Sequence, residues 1–182
     1  MKATGIVRRI DDLGRIVLPK EIRKTLRIKE GDPLEIYVEK DEVLLKKYSP
    51  ILNLSEITAD LSKSINKVTG YSVIITDTES VISAEGEAKD LLGDALSKEA
   101  VDAILNNKSF AISETENLTP IKISNKDDTR FKSQLIVPIV TKKQNAIGLI
   151  ALLDTNGKTL FGSAEIRLLK LSSTLISFKA EV

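Results

Sequence analysis

The first 48 residues alternate between short apolar runs and residues that break the chain. The pattern predicts strands at Lys2–Ile10 and Arg15–Leu18, with the turn residues Asp11–Gly14 between them. The glycine of this turn can take a positive φ because it has no Cβ. Pro19 ends the second strand and suits the first turn of a helix, which predicts a short helix over residues 20–27.

Two further strands complete this segment. Leu34–Glu39 alternates apolar and polar side chains with the period of a half-buried strand. A tight turn at Lys40 and Asp41 joins it to the predicted strand Val43–Tyr48. Ser49-Pro50 then marks a boundary, so we expect one domain of residues 1–50 and another of residues 51–182.

Helical periods dominate the second segment. Apolar residues three and four apart predict a helix over residues 53–69, which Gly70 ends, and residues 97–106 also have a helical pattern. The last helix, residues 163–179, has an apolar stripe with 3-4-3-4-3 spacing, which Leu169 and Ile176 widen: Phe161, Ala164, Leu168, Leu171, Leu175 and Phe178. Such a stripe packs either against the chain's own sheet or against another subunit.

Six strands are predicted between the first and last of these helices: Tyr71–Thr76, Val81–Ala84, Ser109–Ile112, Thr119–Ile123, Lys132–Val140 and Ala146–Leu153. Residues 85–96 and 124–131 are polar connections. This order of elements predicts an α+β fold in which helices flank an antiparallel sheet.

Composition removes several kinds of chemistry. The chain has no Cys and no His, which excludes disulfides, thiolate nucleophiles, the usual catalytic triads and most zinc sites. Its carboxylates are scattered without a convincing pair, so we predict no enzyme, no catalytic residue, no metal and no cofactor. The longest apolar runs, Leu135–Val140 and Ala146–Leu153, are far too short for a bilayer span. A cytoplasmic protein that does not contact the membrane is expected.

Positive charge is concentrated at the start of the chain. Residues 1–29 contain 9 basic and 3 acidic side chains, whereas residues 49–182 contain 15 basic and 17 acidic ones. One face of the predicted helix carries basic residues at i, i+3, i+4 and i+7: Lys20, Arg23, Lys24 and Arg27. Such a face can be merely solvated, but its nearly pure positive sign favours double-stranded DNA as a partner.

The same segment is too small and too apolar to be stable as a single copy. Its apolar residues lie on both faces of short strands, where one chain cannot bury them. Since disulfides and zinc are excluded, we expect a homodimer through residues 1–50, which doubles the positive surface. The candidate DNA-binding residues are Arg8, Arg9, Arg15, Lys20, Arg23, Lys24 and Arg27.

Three motifs resemble the DNA-binding domain of the AbrB family of bacterial transition-state regulators. They are T-G-I-V-R-R-I-D-D-L-G-R-I-V-L-P-K-E-I-R-K-T-L at Thr4–Leu26, G-D-P-L-E-I-Y-V at Gly31–Val38 and L-L-K-K-Y at Leu44–Tyr48. The resemblance implies a domain-swapped β-hairpin barrel, in which two chains exchange hairpins and arginines across one face contact DNA. Arg8, Arg15 and Arg23 stand at the matching positions, Lys24 stands where arginine is common, and Arg9 matches a generally basic position.

In length and order of elements, the 134 residues after Tyr48 resemble the GAF-like domain that one branch of this family carries after the DNA-binding domain. That branch regulates late gene expression in the developing spore, which implies a DNA-binding transcriptional regulator of sporulation, either activator or repressor. A GAF domain is a sensor fold, so an unidentified small ligand could lie between the sheet and the loops 85–96 and 124–131. We expect residues 51–182 mainly to oligomerise, through the stripes of the first and last helices, into a homotetramer.

Two other functions stay open. The first is an antitoxin whose main partner is a toxin, because antitoxins share a similar DNA-binding domain. Those antitoxins are short chains that end in an acidic toxin-binding tail, whereas 134 residues follow Tyr48 here. A small-molecule enzyme housed in residues 51–182 is the other, because Lys, Asp and Glu can also act as catalytic groups.

Overall fold

A computed structural model of the chain describes residues 5–26, 28, 30–112, 119–126 and 130–181. The chain divides into two compact units, Met1–Tyr48 and Ser49–Val182. The second unit contains two clusters of buried apolar side chains, whereas many apolar side chains of the first unit are exposed. Among the described residues, no helix is long and apolar enough to cross a membrane.

The first unit contains a short helix and a hairpin. Its elements are helix α1 (Lys20–Thr25) and the antiparallel strands β1 (Leu34–Glu39) and β2 (Glu42–Lys47). The strands are joined by Lys40 and Asp41, and Lys40 adopts a φ of 51° in this tight turn. The predicted hairpin is therefore confirmed, because alternation along a strand and a short turn between strands are local signals.

Two predicted strands are not formed in the described part of this unit. Residues 5–10 of the predicted strand Lys2–Ile10, and all of Arg15–Leu18, pair with no other strand. The prediction is wrong for a single chain because a strand needs a hydrogen-bonded neighbour, and the hairpin of this chain forms a sheet of its own. The helix is also shorter than predicted, since it ends at Thr25, and Arg27 lies outside the described residues.

The second unit is built on a five-stranded antiparallel sheet with the strand order β4-β3-β7-β6-β5. Its elements are α2 (Ser55–Thr69), β3 (Ser72–Thr76), β4 (Val81–Glu85), α3 (Lys98–Leu105), β5 (Phe110–Ile112), β6 (Ser133–Val140), β7 (Ala146–Asp154) and α4 (Ser163–Ala180), with 3-10 helices at Leu52–Leu54 and Gly86–Leu91. This arrangement is the predicted α+β fold. As predicted, α2 ends at Gly70, whose φ of 76° lets its N–H reach the carbonyl of Asn66.

Both faces of the sheet are covered. Successive residues of a strand face opposite sides, so Ile75 and Ile150 pack with Ile65 of α2 and Leu169 of α4 on one face. The other face packs against α3 and against side chains from the predicted connections and their neighbours: Ala88, Leu91, Leu96, Ile123 and Phe131. These side chains occupy the space in which the sequence places a ligand pocket, and residues 86–91 are a 3-10 helix rather than an irregular loop.

The predicted strand Thr119–Ile123 is wrong. The side chain of Gln134 on β6 takes the place of a neighbouring backbone: its Oε1 accepts the N–H of Ile121 at 3.0 Å, and its Nε2 donates to the carbonyl of Ile121 at 2.7 Å. Gln134 is 1% exposed, so both bonds are shielded from water. A buried amide has both the donor and the acceptor that one strand residue needs, and this segment therefore docks without forming a ladder.

The predicted apolar stripe of helix α4 is divided: Phe161 and Leu168 pack with the cluster on the sheet, whereas Leu171, Leu175 and Phe178 face away from it. The side chains buried against the sheet belong to Leu169, Ser172, Ser173, Ile176 and Ser177. Leu171, Leu175 and Phe178 are 70%, 43% and 54% exposed. The spacing allowed these three side chains to pack either against the chain's own sheet or against another subunit. They do not pack against the sheet.

Candidate nucleic-acid interface

The predicted DNA-binding residues lie on two short segments of the first unit. Those that the structure describes are all exposed: Arg8, Arg9, Arg15, Lys20, Arg23 and Lys24. Arg8 and Arg9 precede the turn Asp11–Gly14, and Arg15 follows it. The other three are on α1, whereas Arg27 lies outside the described residues. The two segments are joined by Leu18 and Pro19, so both groups of cations are close in sequence.

Helix α1 places Lys20, Arg23 and Lys24 on one face through helical spacing. Pro19 directly precedes the helix with φ −56° and ψ 146°, and its carbonyl accepts the N–H of Arg23 at 3.0 Å. Arg23 and Lys24 occupy the last turn, where positive side chains complement the carbonyl dipoles. Ile22 is half-buried on another face of the helix.

The turn before α1 is organised around the carboxylate of Asp11. Oδ1 accepts the backbone N–H groups of Leu13 at 3.0 Å and of Arg15 at 2.8 Å. Oδ2 accepts the Nε–H of Arg15 at 2.7 Å. The backbone of Asp11 also accepts the N–H of Gly14 at 3.0 Å and donates to the carbonyl of Arg15 at 3.1 Å. Gly14 has a φ of 75°, which confirms the positive φ expected of it.

Arg15 is therefore held by an acidic neighbour. The backbone hydrogen bond from Arg15, followed by the bond from its side chain, holds the pKa of Asp11 below its ordinary value of 3.8. The carboxylate is thus ionised at neutral pH. The sequence-based list of candidates omitted Asp11, although the pattern Asp-x-x-Gly-Arg across a turn carries the signal for it.

The first unit also leaves large apolar side chains exposed. Val7 is 86% exposed, Val17 74% and Val38 75%. Further side chains of this kind, all at least half exposed, are Ile10, Leu13, Ile16, Leu26, Ile36 and Val43. Exposed apolar surface on this scale is typical of an interaction surface.

Two ion pairs connect segments of the second unit that lie beside the sheet. Lys126 pairs with Asp94, and Arg130 pairs with Asp90, which joins the segments 85–96 and 124–131. The hydrogen bond from Arg130 holds the pKa of Asp90 below its ordinary value. Within the part of the chain that the structure describes, no group of three or more acidic side chains could hold a metal ion. The two ion pairs hold the segments 85–96 and 124–131 together on the face of the sheet that their apolar side chains cover.

A cleft of about 560 Å³ lies between α4 and β6. Lys142 and Lys170 line it, together with Phe178 and several hydroxyl groups. The ammonium of Lys142 lies 3.3 Å from Oε2 of Glu181 and over the ring of Phe178. The backbone hydrogen bond from Lys142 lowers the pKa of Glu181, so this carboxylate balances part of the positive charge.

Two family models match the chain. Residues 53–181 match the model described as Stage V sporulation protein T C-terminal, transcription factor. Residues 7–53 match the model described as Antidote-toxin recognition MazE, bacterial antitoxin. The first match covers more than half of the chain and includes α2, α4 and the whole sheet between them.

Similar proteins exist for both units. The chain is 44% identical over 142 residues to stage V sporulation protein T of Bacillus subtilis (strain 168), covering 77% of this chain and 78% of that protein. It is 44% identical over 85 residues to the transition state regulatory protein AbrB of the same strain, covering 46% of this chain and 88% of that protein. The GAF domain from Acinetobacter phosphoenolpyruvate-protein phosphotransferase is 11% identical, with a TM-score of 0.57 over 72% of this chain and 86% of that one, a likeness of fold alone.

These similarities confirm the resemblance to AbrB in the first unit and the GAF-like fold of the second. The family match over residues 53–181 and the identity of 44% over 77% of the chain lead to one conclusion. The chain belongs to the stage V sporulation protein T family of transcription factors.

Proposed function

We propose that the chain regulates the transcription of sporulation genes, including late genes of the forespore, by binding duplex DNA through the basic surface of its first unit. The observation that carries the proposal is that the cations of this surface are exposed and grouped on two adjoining segments. Arginine and lysine that meet phosphates release counterions, so binding should weaken steeply as salt rises. The family is one of transcription factors, and we propose no enzymatic activity.

The binding surface is that of a swapped dimer formed through residues 1–50. The exposed apolar side chains of this unit support the dimer, because a second copy can bury what one chain leaves in water. The segments around Arg8 and Arg15 would gain strand partners from the other chain, which supplies the ladders that a single chain lacks. Two-fold symmetry then doubles the cations that face the duplex.

The second unit joins two such dimers into a homotetramer. The exposed stripe of α4 supports this arrangement, and α2 adds Ile57 and Val68, which are 40% and 81% exposed. Helices with apolar residues on the side opposite the sheet are suited to packing against other helices. A small ligand of this unit stays a prediction, since the space expected for it holds side chains of the chain itself.

An antitoxin function is the second candidate, supported by the family match over residues 7–53. In that case the main partner would be a toxin bound by residues after the DNA-binding domain. The folded second unit argues for the regulator, because its sheet and helices bury a core rather than present an extended acidic tail. Recovery of a toxin with the chain, in equal amount from cells, would favour the antitoxin.

The experiment for the proposed function is genome-wide DNA footprinting during spore formation with the wild-type chain and the Arg23→Ala variant. We expect the variant to lose occupancy, with affinity for purified duplex about tenfold lower, because an arginine contact is removed from each subunit. Lys98→Ala removes the same charge from the second unit and should leave occupancy unchanged. Native circular dichroism with unchanged occupancy for Arg23→Ala would contradict the assignment of this surface.

A further inference from the structure

We propose that Asp11 is a positioning residue for DNA recognition: its carboxylate holds the Nε edge of Arg15 and so fixes the guanidinium for contact with the duplex. The inference rests on the proposed function, in which Arg15 contacts DNA. It predicts a counterintuitive result, because a negative charge on a DNA-binding surface would then favour selective binding rather than oppose it.

The geometry separates two tasks of the carboxylate. Oδ1 closes the turn through the N–H groups of Leu13 and Arg15, at 3.0 and 2.8 Å. Oδ2 is bonded to the side chain of Arg15, with its Nε at 2.7 Å. The second bond does nothing for the backbone of the turn. Its effect is on the position of the guanidinium.

Stability does not account for the second bond. The side chain of Arg15 is 68% exposed and that of Asp11 is 36% exposed. Ion pairs this open to water contribute little to folding, because water and salt screen them and ordering two side chains opposes the attraction. An ordered Arg15 is instead useful on binding, since an arginine that is already fixed loses less side-chain freedom when it meets DNA.

The chemistry of the guanidinium fits this division of donors. Arginine has one N–H at Nε and four at its two Nη atoms, arranged in a planar fork. Asp11 uses the Nε–H, and the Nη groups make no hydrogen bond within the residues that the structure describes. A pair of Nη donors matches two phosphate oxygens, or O6 and N7 of guanine. Arg15, while bonded to Asp11 through Nε, therefore keeps its Nη donors available for DNA.

Asp12 provides a matched control. It adjoins Asp11, is exposed, and makes no hydrogen bond or ion pair with any described residue. Asp11→Asn and Asp12→Asn each remove one negative charge at nearly the same place. Asn at position 11 keeps an oxygen that can accept the N–H groups of the turn, but it loses the charge that holds Nε.

The test uses the full chain and two duplexes, one selected from a random pool by the wild-type protein and one of scrambled sequence. We expect Asp12→Asn to raise affinity for both duplexes about twofold, because the surface becomes more positive. Asp11→Asn should raise affinity for the scrambled duplex to the same degree. It should lower affinity for the selected duplex about tenfold, because the fixed bidentate contact is lost.

An Arg15→Lys background separates positioning from folding. Lysine keeps the charge but has no Nε edge and no fork, so Asp11 has nothing to position. In this background Asp11→Asn and Asp12→Asn should have equal effects on both duplexes. A defect of Asp11→Asn that persists there would show a role in folding and overturn the proposal.

Other outcomes are equally decisive. If Asp11→Asn matches Asp12→Asn in the wild-type background while Arg15→Lys weakens selective binding, then Arg15 contacts DNA without help from Asp11 and the positioning role is wrong. If Arg15→Lys leaves both affinities unchanged, the proposed contact between Arg15 and DNA fails first, independently of Asp11.

Discussion

At the scale of single residues, a small side chain can matter because of what lies beside it. Gly148 on β7 is buried, and a Cβ added there would lie 1.9 Å from the carbonyl oxygen of Thr76 and 2.7 Å from Cδ1 of Ile51. The first neighbour is backbone of the adjacent strand β3, which cannot move without disturbing the sheet. The position therefore requires glycine for reasons of space.

We predict that Gly148→Ala destabilises the chain by at least about 2 kcal/mol, the cost of overpacking a core that cannot relax. Urea unfolding followed by circular dichroism measures this free energy. Gly162→Ala is the control, because a Cβ there meets only a side-chain oxygen of Glu165 at 3.3 Å. Gly148→Ala with the stability of the control would contradict the close approach of β3 and β7.

At the scale of elements, side chains decide which segments become strands. The segment around Ile121 lies beside the sheet but is joined to it by the amide of Gln134 instead of by a ladder. Its apolar residues Ile121 and Ile123 suggest a strand, and Ile123 is indeed fully buried. The apolar pattern correctly predicts burial there, whereas the hydrogen bonds are supplied by a side chain far away in sequence.

Gln134→Ala should release this segment. The variant leaves the N–H and carbonyl of Ile121 without their shielded partners, which costs roughly 1–3 kcal/mol. We expect faster hydrogen exchange at the Ile121 amide, together with a lower free energy of unfolding. Gln144→Ala removes an exposed glutamine from a turn and should change neither measurement. Unaltered protection of Ile121 in Gln134→Ala would argue against the side-chain pairing.

At the scale of the whole molecule, exposed apolar surface in each unit points to assembly. In the first unit it covers both segments around the turn and the hairpin, and in the second it includes side chains of α2 and three side chains of α4. The two surfaces belong to different units, so each can bind a different copy of the chain. The proposed tetramer, in which one surface builds a dimer and the other joins two dimers, would cover both surfaces.

We predict that the full chain is a tetramer in light scattering and that Leu171→Ser with Leu175→Ser reduces it to a dimer. The two leucines are 70% and 43% exposed, so their replacement removes interface contacts without opening the core. Leu92 and Leu105 are 58% and 54% exposed elsewhere in the same unit, and replacing both by Ser should leave the tetramer intact. A monomeric α4 variant would contradict the swapped dimer, and a tetrameric one would contradict the α4 interface.

The sequence by itself determined what depends on near neighbours. The β1–β2 hairpin, the end of α2 at Gly70, the positive φ of Gly14 and the cationic spacing on α1 all follow from residues a few positions apart. Turn chemistry and periodicity act over that range, and the α+β fold of the second unit followed from their order. The resemblance in the first unit was visible for the same reason, since its motifs are continuous.

Only the tertiary structure decided which of several compatible partners each group takes. Helix α4 has apolar residues on both sides, so its period could not tell that Leu169 meets the sheet while Leu171 stays outside. No pattern of neighbouring residues predicts that Gln134 pairs with Ile121, or that Phe131 helps to fill the space where a ligand was expected. These choices depend on the competition among distant groups for burial and hydrogen bonds, which is settled only when the sheet brings them together.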